Sequence, residues 1–263
     1  DFESTLDNAA VDYATENSVL IVASAGNNAG TTLSHPAAHE SVISVGAVDA
    51  NANHASFSNQ GEGLTLAAPG IDIPALSGSD LVWSTGTSPG AMVVSGLIVA
   101  TATETGLGVT DAYEILSSNL NEVGPPGDDP LYGAGYPDFR RVQNTSVSGI
   151  YDVAMVNPFY LPASPENPND LLLFTVENRG TETISGINLE VDSELGLRPY
   201  PIGSLGPDEI QTVALNVPSN VDTLTLKASA TIPTNFSDSN PTNNTVSGTL
   251  RLESAGEAGN AAP

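Results

Sequence analysis

The chain has 263 residues, 40% hydrophobic and none cysteine, enough for one large domain or two ordinary ones, with no disulfide framework or thiolate metal site. Thirty-one acidic residues against six basic ones give a net charge of −25, a surface that repels nucleic acid and anionic membranes. No apolar run approaches the roughly 18–20 residues of a membrane-spanning helix.

Lys227 is the only lysine. Dense carboxylates with so few amines read either as an ordinary acidic secreted protein or as adaptation to high salt, where carboxylates keep the surface hydrated. The salt reading makes a measurable claim. Self-repulsion fades as the Debye length shrinks to about 3 Å near 1 M salt, so Tm of the complete protein is expected to rise markedly between 0.05 and 2 M NaCl. A flat or falling curve contradicts the reading.

In chain order, the first element is a helix over "LDNAAVDYATE", with Leu6, Ala9, Ala10 and Tyr13 on one face. The chain starts at Asp1, inside that helix by this reading, and is expected to be an internal or C-terminal piece of a longer protein. The lack of a signal peptide therefore says nothing against secretion. "SVLIVASAG" and "SVISVGAV" follow as near-continuous apolar strands, the pattern of a parallel sheet covered on both faces. Two helical stretches come next: "SPGAMVVSGLIVATATET" and, after Thr110 as expected N-cap, "DAYEILSSNL". This is the alternation of an α/β fold. The polar stretch "RRVQNTSVSG" marks a seam. From Tyr151 the chain changes to short alternating strands, "DLLLFTVEN", "ISGINLEVDS", "IQTVALNV", "DTLTLKASATI" and "TVSGTLRLE", with turns such as "NRG" between them. That spacing predicts an all-β sandwich of about 100 residues. The expected division is 1–147, 148–252 and a disordered tail or linker over 253–263.

Gly86-Thr87-Ser88-Pro89-Gly90 fits G-x-S-x-G, a strand-to-helix elbow that exposes a nucleophilic serine. Alone the pentapeptide is a weak signal, because Ser88 could simply cap the helix ahead of Pro89. Chain order separates the enzyme readings. An α/β-hydrolase carries its histidine after the serine. Here His35, His39 and His54 all precede Ser88. The order Asp, His, Ser places both partners upstream.

Five blocks then carry a specific resemblance: "VLIVASAGNNAG", "HPAAHESVISVGAVDANANHASFSNQG", "LTLAAPG", "STGTSPGAMVVSG" and "GAGYPDFRRV". In this order and spacing they resemble the C-terminal half of the catalytic domain of subtilisin-family serine proteases. The resemblance implies a partial subtilisin-like parallel sheet flanked by helices, with Ser88 as nucleophile and Asn27 as the oxyanion-hole donor. It implies that Ser24, Ala25 and Gly26 form one wall of the substrate pocket and that Ser34 lies at its base. Small side chains there would leave room for a large apolar or aromatic substrate residue. The family's Asp and His blocks fall upstream of Asp1 by this alignment. His35 aligns with the pocket loop beside Pro36, and His54 falls in a turn, so no histidine matches the catalytic one. The sequence departs from the family pattern where Pro89 directly follows the serine and Met92 stands at the family's proline.

Residues "YDVAMVNPFYL", "FTVENRGTETISGINLEV", "IGSLGPDEIQTVAL" and "SDSNPTNNTVSGTL" resemble CARDB-type immunoglobulin-like modules of secreted enzymes and adhesins. Such a module either binds a polymer, cell surface or partner, or serves as a spacer. Asp238, Asn240, Asn243 and Asn244 gather oxygen donors that could hold a structural Ca²⁺, or that form a plain turn. Asn144, Asn235 and Asn243 lie in N-x-S/T sequons.

The resulting expectation is a secreted, extracellular serine endopeptidase acting on polypeptides with no cofactor required for its chemistry, present here as a piece that is inactive alone. The alternative is a non-catalytic secreted binding or adhesion protein built on a degenerate protease domain.

Overall fold

The computed structural model describes residues 4–165 and 167–252; the tail read over 253–263 lies outside them. It divides into two compact units, Asp1–Val123 with Gly127–Val142, and Gly124–Pro126 with Gln143–Pro263.

In the first unit, helix α1 (Thr5–Glu16) starts at Ser4, whose hydroxyl accepts the Asp7 N–H. The expected apolar face does not make the core. Leu6 and Tyr13 are 78% and 72% exposed, and Val11 is the buried residue. Alanines between the two large side chains leave that stripe little apolar area. The helix is tied instead through Asp12, whose carboxylate meets His39 Nε2 at 3.3 Å.

Strands β1 (Val22–Ser24), β2 (Ile43–Val48) and β3 (Leu66–Pro69) form a parallel sheet in that order. Val22 pairs with Ile43 and Val45 with Leu66. All six residues of β2 are buried, because each face of the sheet carries its own cluster. Ile43, Val45, Leu66 and Ala68 meet Ala91, Val94 and Ile98 on one side. Val48 and Ala67 meet Val123 and Tyr132 on the other. The hairpin β4 (Ile73–Ser77) and β5 (Asp80–Ser84) forms a separate two-stranded sheet with Leu76, Leu81 and Trp83 exposed.

Helix α2 (Thr87–Thr105) runs to Gly106, which takes the left-handed conformation that closes a helix. Gly90 lets its first turn approach β2, since a Cβ there would lie 3.2 Å from the Gly46 carbonyl. Helix α3 (Val109–Ser117) begins before the expected Thr110 cap. Gly108 is its N-cap, without a side-chain bond, and Thr110 sits inside the first turn. Strands β6 (Leu120–Asn121) and β7 (Tyr136–Pro137) pair, and helix α4 (Phe139–Asn144) follows.

The loop before β7 is folded by Asp129, whose Oδ1 accepts the N–H groups of Leu131 (2.7 Å) and Tyr132 (3.1 Å). Its other oxygen is buried and has no hydrogen-bond partner. Burial pushes this carboxyl from 3.8 up to about 6, against the opposing pull of those two N–H groups. The native state thus holds the proton more tightly than the unfolded chain. The contribution to stability is complete below the unfolded pKa near 4 and is lost as pH rises through about 6. Asp129→Asn stays neutral at every pH. Its Tm relative to the parent is expected to improve by roughly 2–5 °C between pH 4 and pH 7.5. A pH-independent difference in paired melting curves would show that the charge is not the cause.

The second unit is all β. Strands β8 (Val153–Met155), β9 (Phe159–Leu161), β10 (Asp170–Asn178) and β13 (Ile210–Val217) make one antiparallel sheet, with β10 central. Strands β11 (Ile184–Ser193), β12 (Arg198–Leu205), β14 (Thr223–Thr231) and β15 (Thr245–Arg251) make a second, ordered β12-β11-β14-β15. Strict alternation places Leu172, Phe174 and Val176 of the first sheet in one core with Ile187, Leu189, Val191, Leu224 and Leu226 of the second. The ion pair between Arg179 Nε and Glu177 Oε2, 2.7 Å long, is buried beside this core. Strand β12 is not among the strands expected from the sequence. Pro199 and Pro201 lie within it, and it occupies a sheet edge, where a missing N–H is tolerated.

Candidate active site

The site grows from the C-terminal end of β1 and the N-terminal end of α2, the place where parallel α/β sheets gather functional groups. After Ser24 the chain leaves the sheet at Gly26, whose φ of +117° suits glycine. A Cβ at Gly26 would also stand 2.4 Å from Asn59 Nδ2 and 2.5 Å from Ser34 Oγ. Ala25 is fully buried, and its carbonyl accepts the Ser34 N–H at 2.8 Å. Of the four residues aligned with the substrate pocket, Ser24, Ala25 and Gly26 are consecutive, and Ser34 is joined to them by its backbone bond to Ala25.

Asn27 comes next and is exposed. Its Oδ1 accepts two hydrogen bonds, from the Thr87 N–H (2.8 Å) and from the Thr87 hydroxyl (2.9 Å). The same hydroxyl accepts the Gly26 N–H at 3.2 Å. With the amide oxygen fixed on Thr87, the Nδ2 edge is turned the other way, and it makes no hydrogen bond among the described residues. Thr87 is fully buried.

Ser88 is the second residue of α2 and is exposed. It does not cap the helix; Gly86 is the N-cap. Pro89 is buried in the first turn, where its missing N–H would have had no helical partner. Helix α2 continues past it, with Met92 69% exposed. The dipole of α2 directs positive potential toward the space beside Ser88.

Two of the histidines are engaged elsewhere. His39 Nδ1 accepts the Ser41 N–H at 3.2 Å, and its Nε2 meets Asp12. His54 stacks edge-on to Tyr132, with ring centroids 5.8 Å apart, and burial lowers its pKa. No hydrogen bond joins His35, His39 or His54 to Ser88 among the described residues.

Nothing in the sequence marks Thr87 as the partner of Asn27. Sixty positions separate the two residues, and no local pattern signals the bond. In the second unit, Asp238 accepts hydrogen bonds from Asn240 N (2.8 Å), Val153 N (3.2 Å) and Asn244 Nδ2 (3.1 Å), while Asn243 Nδ2 donates to Asp152 at 2.9 Å. These carboxylates are turned onto N–H donors as in a pinned turn. Among the described residues, no group of three or more His, Cys, Asp or Glu side chains gathers as a metal site.

The exposed Ser88 thus directly follows Thr87, the residue that holds the Asn27 amide oxygen. The model of the subtilase family matches residues 2–135, and the chain belongs to that family. Curated relatives agree. The thermophilic serine proteinase of Bacillus sp. (strain AK1) is 37% identical over 124 residues, 46% of this chain and 31% of the relative. Subtilisin BL of Lederbergia lenta is 41% identical over 88 residues, 33% of each. The cell wall-associated protease of Bacillus subtilis (strain 168) is 35% identical over 122 residues, 43% of this chain and 13% of the relative. The chain thus spans a third or less of the length of these relatives.

Proposed function

We propose that residues 1–147 are the C-terminal part of the catalytic domain of a serine endopeptidase. In this reading Ser88 Oγ attacks the carbonyl carbon of a peptide bond and passes its proton to a histidine base held by an aspartate, both supplied by sequence upstream of Asp1. The carbonyl oxygen becomes an oxyanion, received by Asn27 Nδ2–H and by the Ser88 backbone N–H. These donors gain strength as charge develops, so they stabilise the transition state more than the substrate. The intermediate collapses with loss of the amine, which takes its proton from the histidinium; water, activated by the same base, then hydrolyses the acyl-enzyme, and no cofactor is called for. Polypeptides are the substrates, and the small residues from Ser24 to Gly26, with Ser34, favour a large apolar side chain before the scissile bond.

The observation that carries this reading is the double hydrogen bond from Thr87 to Asn27 Oδ1. It fixes which edge of the amide faces outward, beside the exposed Ser88. Residues 148–252 are proposed as a CARDB-type, immunoglobulin-like module, supported by two antiparallel sheets that share one core. An extracellular or cell-surface setting fits the −25 charge and the wall-associated relative. No single described helix is long and apolar enough to cross a membrane.

The test is a longer version of the protein that includes the upstream segment. It should hydrolyse a peptide substrate and be labelled at Ser88 by a fluorophosphonate, and Ser88→Ala should abolish both. A folded longer protein that neither cleaves nor labels would favour the non-catalytic binding protein instead.

A further inference from the structure

The loop from Gly26 to Thr32 that presents Asn27 has no regular structure, and its polar backbone groups must be met from outside it. Most are met by one short segment. Ala29 N–H donates to Phe57 O and Gln60 N–H to Gly30 O, both at 2.9 Å. Asn59 supplies the rest. Its Oδ1 accepts the N–H groups of Asn28 (3.1 Å) and Gly30 (3.0 Å), and its Nδ2 donates to Thr32 O (3.0 Å). Its own N–H donates to Gly26 O at 3.0 Å. Asn59 is 3% exposed, so water offers these groups little compensation.

We propose that Asn59 is a positioning residue for oxyanion stabilisation: it fixes the backbone on both sides of Asn27, as Thr87 fixes that residue's side chain. The proposal rests on the oxyanion role given to Asn27 above. It specifies amide chemistry. Two N–H groups converge on one oxygen while a carbonyl faces the other end of the same planar group, and a primary amide has that acceptor and donor pair. Aspartate would keep the acceptor, lose the donor and set a charge against the Thr32 carbonyl. Serine could meet at most part of the set. Glutamine is one methylene longer, and the close approach of Gly26 leaves no space for it.

Oxyanion donors act only when placed about 2.7–3.1 Å from the developing charge, and a misplacement of about 1 Å can lower rate by roughly 10². Release of the loop should therefore appear in kcat and leave ground-state binding nearly unchanged. The experiment is a double-mutant cycle in the complete enzyme with Asn27→Ala, Asn59→Ala and both together, reading kcat and KM separately. Asn59→Ala is expected to lower kcat by about 10- to 100-fold, with KM within a few-fold of the parent. In the Asn27→Ala background the same change should alter kcat by less than about 3-fold, because the donor it positions is already gone. Asn59→Asp, measured alongside with Tm, covers the case in which the alanine variant does not fold; it keeps the acceptor and loses the donor to Thr32 O, so it should show a smaller loss in kcat, of at least about 3-fold, with the same masking.

An unchanged kcat for a folded Asn59 variant overturns the proposal. So does a loss that persists undiminished in the Asn27→Ala background, which marks a merely structural residue. If Asn27→Ala alone leaves kcat intact, the oxyanion reading fails and this proposal fails with it, whereas a damaging Asn27→Ala with additive Asn59 effects sinks only the proposal made here.

Discussion

A fluorophosphonate is expected to leave Ser88 of the 263-residue chain unlabelled, and the chain alone should show no measurable peptidase activity. A neutral serine hydroxyl is a poor nucleophile until a base withdraws its proton. No histidine bonds Ser88 among the described residues: His39 is held between Ser41 and Asp12, and His54 is packed on Tyr132 with its charged form disfavoured by burial. Loss of the base lowers turnover in such triads by about 10⁴- to 10⁶-fold. The remaining helix dipole and amide donors can stabilise an oxyanion but cannot create the alkoxide that forms it. Stoichiometric labelling at Ser88 in the isolated chain would mean that another group serves as base and would overturn this account.

Within the complete enzyme, Asn27→Ala is expected to lower kcat by roughly 10²- to 10³-fold with little change in KM. That magnitude is the measured effect of removing such a donor from a subtilisin, a member of the same family. The present geometry supplies the direction. Asn27 Oδ1 is committed to Thr87, so the amide presents a donor, and a donor aimed at an oxygen that is charged only in the transition state leaves ground-state binding almost untouched. Asn28 is the internal control. It shares the loop and the amide chemistry, but what it contributes to the fold is its backbone N–H, bonded to Asn59. Asn28→Ala should therefore stay within a few-fold of the parent. A damaging Asn28→Ala beside a mild Asn27→Ala would place the donor one residue further along. Two mild variants would remove the oxyanion hole from this loop altogether.

The parts of the fold that were legible in the sequence are those that burial writes into composition. Strand β2 reads as an unbroken apolar run because both of its faces are covered, and all six of its residues are buried. The alternation of β11 is visible because it has one face in a core. Elements at the periphery left no such record. The β4–β5 hairpin exposes Leu76, Leu81 and Trp83, so its apolar residues follow neither period. Strand β12 carries two prolines, which argue against a strand unless its edge position is known. The Leu6–Tyr13 stripe of α1 had the correct helical spacing but too little apolar area to decide how the helix docks. At the site, the serine and the asparagine came from recognisable blocks. Thr87 and Asn59 lie in the same set of blocks, but their roles left no signal there, because each acts through hydrogen bonds to residues 27 to 61 positions away, and a polar contact across that separation has no periodicity to betray it.

The prolines of β12 acquire a different meaning beside the net charge of −25. At low ionic strength like charge keeps neighbouring molecules apart. Near 1 M salt that repulsion is confined to about 3 Å, and colloidal stability must come from surface chemistry alone. An open strand edge is then the hazard, since its free N–H and C=O groups can recruit a strand from another molecule. Pro199 and Pro201 stand opposite Glu190 and Asn188 of β11 and have no N–H with which to continue a ladder. At β12 the sheet therefore ends in an edge that cannot be extended by continuous pairing, a safeguard on that side against aggregation that salt does not switch off.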